Sequence, residues 1–549
     1  MPGLVLGPVL RYVGSDDATV WVETDAPCRV EVLGHGERTF TVAGHHYALV
    51  YIEDLPQREV QPYDVRLDSE HVWPPPDYDF PPPAIRTLDR EGPLRVAFGS
   101  CRVALPHRPP YTLPKDEHPE GREYDALYTL AHELIGRSRE RWPDLLLMLG
   151  DQVYVDEGSP AVRERIRATR DVGEPPGEEV RGFEEYTWLY HESWGDPTIR
   201  WLLSTVPTAM VLDDHDMADD WNISLAWKEE MNRKPWWRER VVGGLMTYWI
   251  YQHIGNLVPA ELERHDEYHA VRRAEDGARA LREFAEWVDA DGEGKVWSFA
   301  RDLGGTRLVV ADDRTGRSLQ DGRRTIFDDH EWDWILDATR GDFDHLLLAT
   351  TDPVLLPPGL HYAEAWNEAV CEGAWGGRAA ALGEKLRRAA DFDHWAAFQD
   401  SFERLELLLR EIGGGERGRP PASIVVLSGD VHHAYLAEVA FRRDAEVRSA
   451  VYQAVCSPFR NALDAHERQL IRFGLTRTGH AIGRALARAA GARDPDVRWR
   501  LVEGPFFDNQ VATITLDGRA ARMKLEKTVG DPDTDRRSLQ TVFERRLAD

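Results

Sequence analysis

An α/β fold behind a small all-β module is what this sequence predicts, on three observations. From residue 92 onward, short and almost wholly apolar runs alternate with helical patterns. The first 90 residues carry only β-branched and aromatic runs broken by Gly, Asp and Pro. A proline-rich stretch, Trp73 to Pro83, lies between the two.

Each element follows from its residues. ATVWVET, CRVEVLG, RTFTVAG, YALVYIEDL and YDVRLDS read as strands at the regular spacing of a small immunoglobulin- or fibronectin-like sandwich, assigned to residues 1–90. The prolines then form a stiff extended linker, and a second domain is expected over 91–549. There LRVAFGS, DLLLMLGD, TAMVLDD, TRLVVADD, HLLLATTD and SIVVLSGD have the composition of strands buried on both faces. DALYTLAHELIGRSR and FDHWAAFQDSFERLELLLREI read as helices between them. Residues 223 to about 296, with Trp227, Trp236, Trp237, Trp249 and Trp287, read as a helical insertion over the sheet, expected to be core rather than a lid. The segment from Arg498 to Thr528 reads as strands closing a sheet, with a turn at Asp517-Gly518. Arg484, Arg488 and Arg493 are expected on a solvated helix face.

Bulk properties narrow the function classes. With 95 Asp+Glu against 67 Lys+Arg, the chain has the wrong charge balance for a general nucleic-acid binder. No apolar run is long enough for a transmembrane helix. The start, MPGLVLGPVLRYVGSDD, has no basic segment, long apolar core or twin arginine, and four scattered cysteines suit a reducing compartment. A cytoplasmic protein is the expectation; the composition leaves oligomeric state open.

Chemistry concentrates at strand ends. Ser100-Cys101, then Asp151 and Tyr154 in GDQVYVDE, then Asp213-Asp214-His215-Asp216 in DDHDMADDW, then Asp430 and His432 in SGDVHHAY each follow an apolar run. Asp, His, Cys and Tyr along one rim of a sheet are hard and borderline metal ligands, the layout of a metal-assisted hydrolase. Gly150 is expected to let backbone and metal approach closely, and Tyr154 to offer a phenolate suited to ferric iron. An extended backbone would turn Asp430 and His432 to one face and His433 away. Asp312, Arg314 and Arg317 follow a further strand, and Arg314 offers a planar fork for phosphate oxygens. Walker, nucleophile-elbow, dinucleotide and paired CxxC patterns are absent from the sequence.

In this order, FGSCR, GDQVYVDE, VLDDHDMADDW, ADDRTGRS and SGDVHHAY resemble the alkaline phosphatase D (PhoD-like) family of metallophosphoesterases, over nearly the whole chain. GDQVYVDE and DVHHAY are also similar to segments of purple acid phosphatases, in which a tyrosinate binds ferric iron. The resemblance implies a four-layer α/β/β/α sandwich that hydrolyses phosphomonoesters and phosphodiesters with Fe3+ and Ca2+. It implies Cys101, Asp151 and Tyr154 on iron. Asp151 would bridge to a second, harder site completed by Asp430, His432 and either Asp214 or Asp220. Where the family pattern has paired asparagines, this chain has Asp219 and Asp220. The family's familiar members are secreted, and no export signal is seen here.

The expected chemistry is hydrolysis of a small-molecule phosphoester by water activated between two cations about 3.5–4 Å apart. His215 would position the phosphate or protonate the leaving oxygen, with Asp216 orienting its ring, while Arg314 neutralises the equatorial oxygens. The rival readings are a phospholipase D-like or nucleotide phosphodiesterase on the same fold, and a non-catalytic binding protein that keeps it.

Overall fold

The computed structural model describes residues 1–290, 294, 297–320, 322–442, 446–531 and 536–549. All six apolar runs form strands: Leu94–Gly99, Leu145–Leu149, Thr208–Val211, Thr306–Val310, His345–Ala349 and Ser423–Ser428. They divide between two sheets. The first runs Thr208–Val211, Leu145–Leu149, Leu94–Gly99, Gln510–Asp517, Ala520–Asp531, Arg536–Ala548, parallel in its first three strands. The second runs Phe299–Leu303, Thr306–Val310, His345–Ala349, Ser423–Ser428, Ala450–Val455, Ala434–Phe441, Val497–Phe506.

Alternation along each strand shows how the layers stack. Val96, Phe98, Leu145, Leu147 and Leu149 of the first sheet share a core with Leu308, Val310, Leu347, Val425 and Leu427 of the second. The residues between them point outward. Ala97, Leu146 and Met148 pack on Leu127, Leu130 and Leu134 of the helix Ala126–Gly136. Leu346, Leu348, Ile424 and Val426 pack on Phe402, Leu405 and Leu409 of the helix Gln399–Gly414. Two sheets buried face to face with helices outside both make the four-layer α/β/β/α sandwich. Gln510–Asp517 enters the middle of the first sheet, antiparallel to Leu94–Gly99, and Gly518 (φ +56°) turns the chain where a DG hairpin was expected. A final strand, Arg536–Ala548, was not read from the sequence.

The first module has two four-stranded sheets, Leu4–Val13, Ala18–Thr24, His45–Ile52, Phe40–Val42 and His35–Arg38, Arg29–Val32, Val65–Leu67, Glu70–Trp73. Val20, Val22, Ala48 and Val50 close its interior with Val30, Val32, Val65 and Leu67. Its outer face is buried as well: Trp21, Tyr47 and Leu49 join a core containing Trp194, Trp249 and Tyr251. Among the tryptophans of 223–296, Trp227, Trp237 and Trp249 are core, as expected, whereas Trp287 is 41% exposed. The expected end of that segment near residue 296 lies outside the described residues. Arg484 and Arg488 pair with Asp494, and Arg493 with Glu403, on a solvated face. No helix among the described residues is long and apolar enough to cross a membrane.

A polar latch joins the first module to the helix Phe183–Gly195. The buried Glu23 accepts from His45 Nδ1 at 3.0 Å, His191 Nε2 at 2.9 Å and the Tyr251 hydroxyl at 2.9 Å. Burial alone would raise Glu23, but the bonds from His191 and His45 outweigh it and lower it. Burial alone would lower His45, but the bonds to Glu23 and Glu184 raise it. The lowered carboxylate stabilises fully above its ordinary 4.5 and loses that contribution as pH falls through its folded value. The raised imidazole stabilises fully below its ordinary 6.5 and loses its contribution as pH rises through its folded value. Both act together between these limits. Glu23→Gln should therefore cost about 1–3 kcal/mol inside that window, with the gap to wild type narrowing on either side. Urea unfolding followed across about pH 4 to 9 checks it; a gap independent of pH would contradict the latch.

Candidate metal centre

Site residues come from the carboxyl ends of both sheets, where open α/β sheets hold their ligands. Cys101, Asp151 and Asp213–Asp216 follow strands of the first sheet; Asp312–Arg314, Asp352 and Asp430 follow strands of the second. The expected single rim is thus a seam between two stacked sheets. Two glycines let the strand ends meet. A Cβ on Gly150 (φ +97°) would collide with Asp213, and one on Gly429 with Ser100. Gly150 therefore makes room for a neighbouring carboxylate.

The backbone at this seam is strained. Cys101 (φ +57°), Asp151 (+53°), Asp220 (+63°), Asp430 (+64°) and His432 (+49°) all lie in the left-handed region. Aspartate and histidine tolerate it better than most residues; cysteine seldom adopts it, and such residues gather at functional sites. Asp430 and His432 are accordingly not on an extended strand end. They sit on a bend closed by Val431 N–H to Gly429 O (2.9 Å) and His432 N–H to Asp430 O (2.8 Å). The period-two argument for them fails. His433 gives Nδ1–H to Val431 O (2.6 Å) and stacks on Tyr435.

Three groupings of ligand atoms lie within 4.8 Å of one another among the described residues: Cys101, Asp151 and His432; Asp151, Asp214 and His215; Asp213, Asp352 and Asp430. Asp151 is common to the first two. Its Oδ2 accepts the Tyr154 hydroxyl at 3.0 Å, and its Oδ1 is buried with no hydrogen-bond partner among the described residues. Burial first, then Asp214, Asp216 and Asp430, push Asp151 far above the carboxylate range despite His215. Burial and Asp151 likewise push up the Cys101 thiol and the Tyr154 phenol. Thiolate, phenolate, carboxylate and imidazole around an orphaned carboxylate oxygen fit a hard-to-borderline metal ion, which would supply the missing counter-charge. Asn461, which sequence reasoning passed over, gives Nδ2–H to the Tyr154 oxygen at 3.4 Å.

Asp214 and Asp220 part company here. Asp214 belongs to the grouping with Asp151 and His215, and its carboxylate accepts His215 N–H (2.8 Å) and Asp220 N–H (3.0 Å). Asp220 belongs to none of the three. Burial, Asp393 and Asp391 push its carboxyl up to about 9.

Two residues given catalytic roles from the sequence have other partners in the structure. Asp216 does not orient His215: its carboxylate takes the backbone N–H groups of Val153 and Asp213, both at 3.1 Å, and so ties the motif to its own loop. Asp156 faces the His215 ring instead, both oxygens 3.1 Å from Nδ1, while the ring lies 4.4 Å from that of Tyr154. Asp156 belongs to GDQVYVDE, and its place five residues after Asp151 was the available signal. Arg314, expected to meet phosphate oxygens, is instead bonded to four aspartates. It is 1% exposed and gives Nε to Asp213 (2.5 Å), Nη2 to Asp352 (2.8 Å) and Asp430 (3.3 Å), and Nη1 to Asp393. Arg317 bonds Asp352 and Asp393 beside it. The guanidinium thus sits within the third grouping, tightest on Asp213 and Asp352 and farther, at 3.3 Å, from Asp430.

Comparison with known proteins gives a family match over part of the chain and a likeness of fold. Residues 121–280 match the family model of PhoD-like phosphatases, and residues 1–85 match a domain family of unknown function, DUF7800. The chain is similar in fold to the solved structure of PhoD, with a TM-score of 0.58 at 14% identity over 99% of this chain and 90% of that one. A purple acid phosphatase from yellow lupin (Lupinus luteus) seeds aligns at a TM-score of 0.49 and 10% identity, over 98% of this chain and 74% of that one. No curated protein matches the chain in sequence.

Proposed function

We propose, from a chain whose residues 121–280 are a PhoD-like phosphatase domain, a metal-dependent phosphoric ester hydrolase acting on a small-molecule phosphoester. One observation carries the reading. Cys101 and His432 on one side and Asp214 and His215 on the other share Asp151, a buried carboxylate whose Oδ1 has no hydrogen-bond partner among the described residues. We assign Cys101, Asp151, Tyr154 and His432 to a first metal, read as ferric iron. Asp151, Asp214 and Asp430 are assigned to a second, read as calcium. A bound ion supplies Lewis-acid stabilisation of phosphoryl oxygens and acidifies a water.

The chain's own part is to hold and to protonate. Gly150 and Gly429 let the strand ends approach Asp213 and Ser100, and Asn461 steadies the Tyr154 oxygen. His215 Nδ1 is held by Asp156, which leaves Nε2 as the ring's free edge, 3.6 Å from the exposed Asp219. Nε2 is placed to hold a phosphoryl oxygen or give a proton to the leaving oxygen. Asp156→Asn should lower kcat by about 10–100-fold with metal content unchanged, because only the ring's orientation is lost. Loss of metal along with rate would instead make Asp156 part of the ion site.

The test of the reading is elemental analysis of the purified protein together with rates on a chromogenic monoester and its bis-ester. Absence of both stoichiometric metal and turnover would leave a binding protein. A visible tyrosinate-to-iron band, lost in Tyr154→Phe, would identify the first metal.

A further inference from the structure

Asp430 poses a positioning problem. Its backbone is left-handed, on a two-residue bend, so no strand neighbour fixes its carboxylate. Its N–H donates to Ser100 Oγ at 3.0 Å, which holds the main chain only. Oδ1 accepts Arg314 Nη2 at 3.3 Å, a nitrogen that also serves Asp352 at the shorter distance of 2.8 Å. Oδ2 has one partner among the described residues, His394 Nε2 at 3.2 Å.

His394 is itself held from behind. Its Nδ1 lies 2.8 Å from Oε1 of Glu364, a carboxylate 2% exposed on the helix Pro358–Cys371. Carboxylates at both ring nitrogens make the imidazole a donor on each side, and leave one orientation that satisfies both. His394 belongs to none of the three groupings of ligand atoms. Its direct contact with the groupings is through Asp430; its Nδ1 also lies 3.9 Å from Asp393, a partner of Arg314.

We infer that Glu364 and His394 form a positioning relay that sets the Asp430 carboxylate for metal binding, an inference that rests on the metal-dependent reading above. Glu364 anchors the ring to a packed helix, the ring aims Oδ2, and Oδ1 is steadied by Arg314. Removing the ring should free the carboxylate to rotate on its bend without removing a ligand.

The experiment is calorimetric titration of Ca2+ into chelator-stripped full-length protein, with elemental analysis and kcat at low and saturating Ca2+. His394→Ala should raise the Ca2+ Kd about 10–100-fold, while saturating Ca2+ restores wild-type stoichiometry and most of kcat. His394→Gln, which keeps an N–H donor at the end of its side chain, should recover part of the affinity. Glu364→Gln, which leaves the ring in place, should shift Kd in the same direction by a smaller factor, and it stands in should the alanine variant not fold. An unchanged Kd in folded variants overturns the relay. So does a lost equivalent of Ca2+ that excess cannot restore, since His394 would then be a ligand. A wild type that binds no Ca2+ overturns the calcium assignment beneath the relay, and the relay with it.

Discussion

Asp151→Asn should lose bound metal and turnover together, with kcat lower by at least about 10³-fold, while its metal-free form unfolds no more easily than metal-free wild type. The two halves have one cause. Asp151 is fully buried, close to Asp214, Asp216 and Asp430, and one of its oxygens has no hydrogen-bond partner among the described residues. Without a cation, that carboxylate costs free energy as a buried charge or must take up a proton. The amide keeps the shape and can still accept from the Tyr154 hydroxyl, but it carries no charge to hold a metal. Elemental analysis, steady-state kinetics and thermal unfolding of the stripped proteins check all three parts. Turnover retained without metal would refute the proposed chemistry. A metal-free variant much less stable than metal-free wild type would make Asp151 structural.

Arg314→Met should destabilise the protein by about 3–5 kcal/mol, the typical cost of removing one partner from a buried ion cluster. Its guanidinium is bonded to Asp213, Asp352, Asp393 and Asp430, and Arg317 reaches only two of these. Methionine of similar length leaves those acids facing one another. Arg314→Lys keeps the charge and loses the fork, so it should fall between. Chemical denaturation of the three proteins in the presence of chelator measures the effect. Had Arg314 served the phosphate, as its strand-end position suggests from sequence, Arg314→Met would instead raise KM at unchanged stability.

Two further aspartates bonded to this arginine, Asp352 and Asp393, show where sequence reading stopped. Asp352 closes HLLLATTD as Asp151 closes DLLLMLGD, and its position after a buried strand marked it equally well. Asp393 and His394 were hidden by periodicity. FDHWAAFQDSFERLELLLREI scans as one helix, yet the helix begins at Gln399, and Asp393 and His394 lie before it. Trp395, Ala397 and Phe398 are apolar because they pack on Phe402, not because they continue the helix. Glu364 lies inside a helix and had no sequence signal at all.

By itself the sequence determined the all-β module, the six buried strands, the acidic strand ends and the resemblance of their order to PhoD-like phosphatases. These are local facts: burial on both faces makes a strand apolar throughout, and a turn after it admits polar residues. The tertiary structure alone decided which strand ends face one another. Two sheets, packed face to face, bring Asp352, Asp393 and Asp430 to the first sheet's Asp213 and place a guanidinium among them. That contact turned Arg314 from a phosphate ligand into a counter-ion and gave His215 to Asp156 in place of Asp216. Charges buried together are paired or neutralised according to distance in space, and residues 38 to 116 positions apart in the chain carry no mark of that distance.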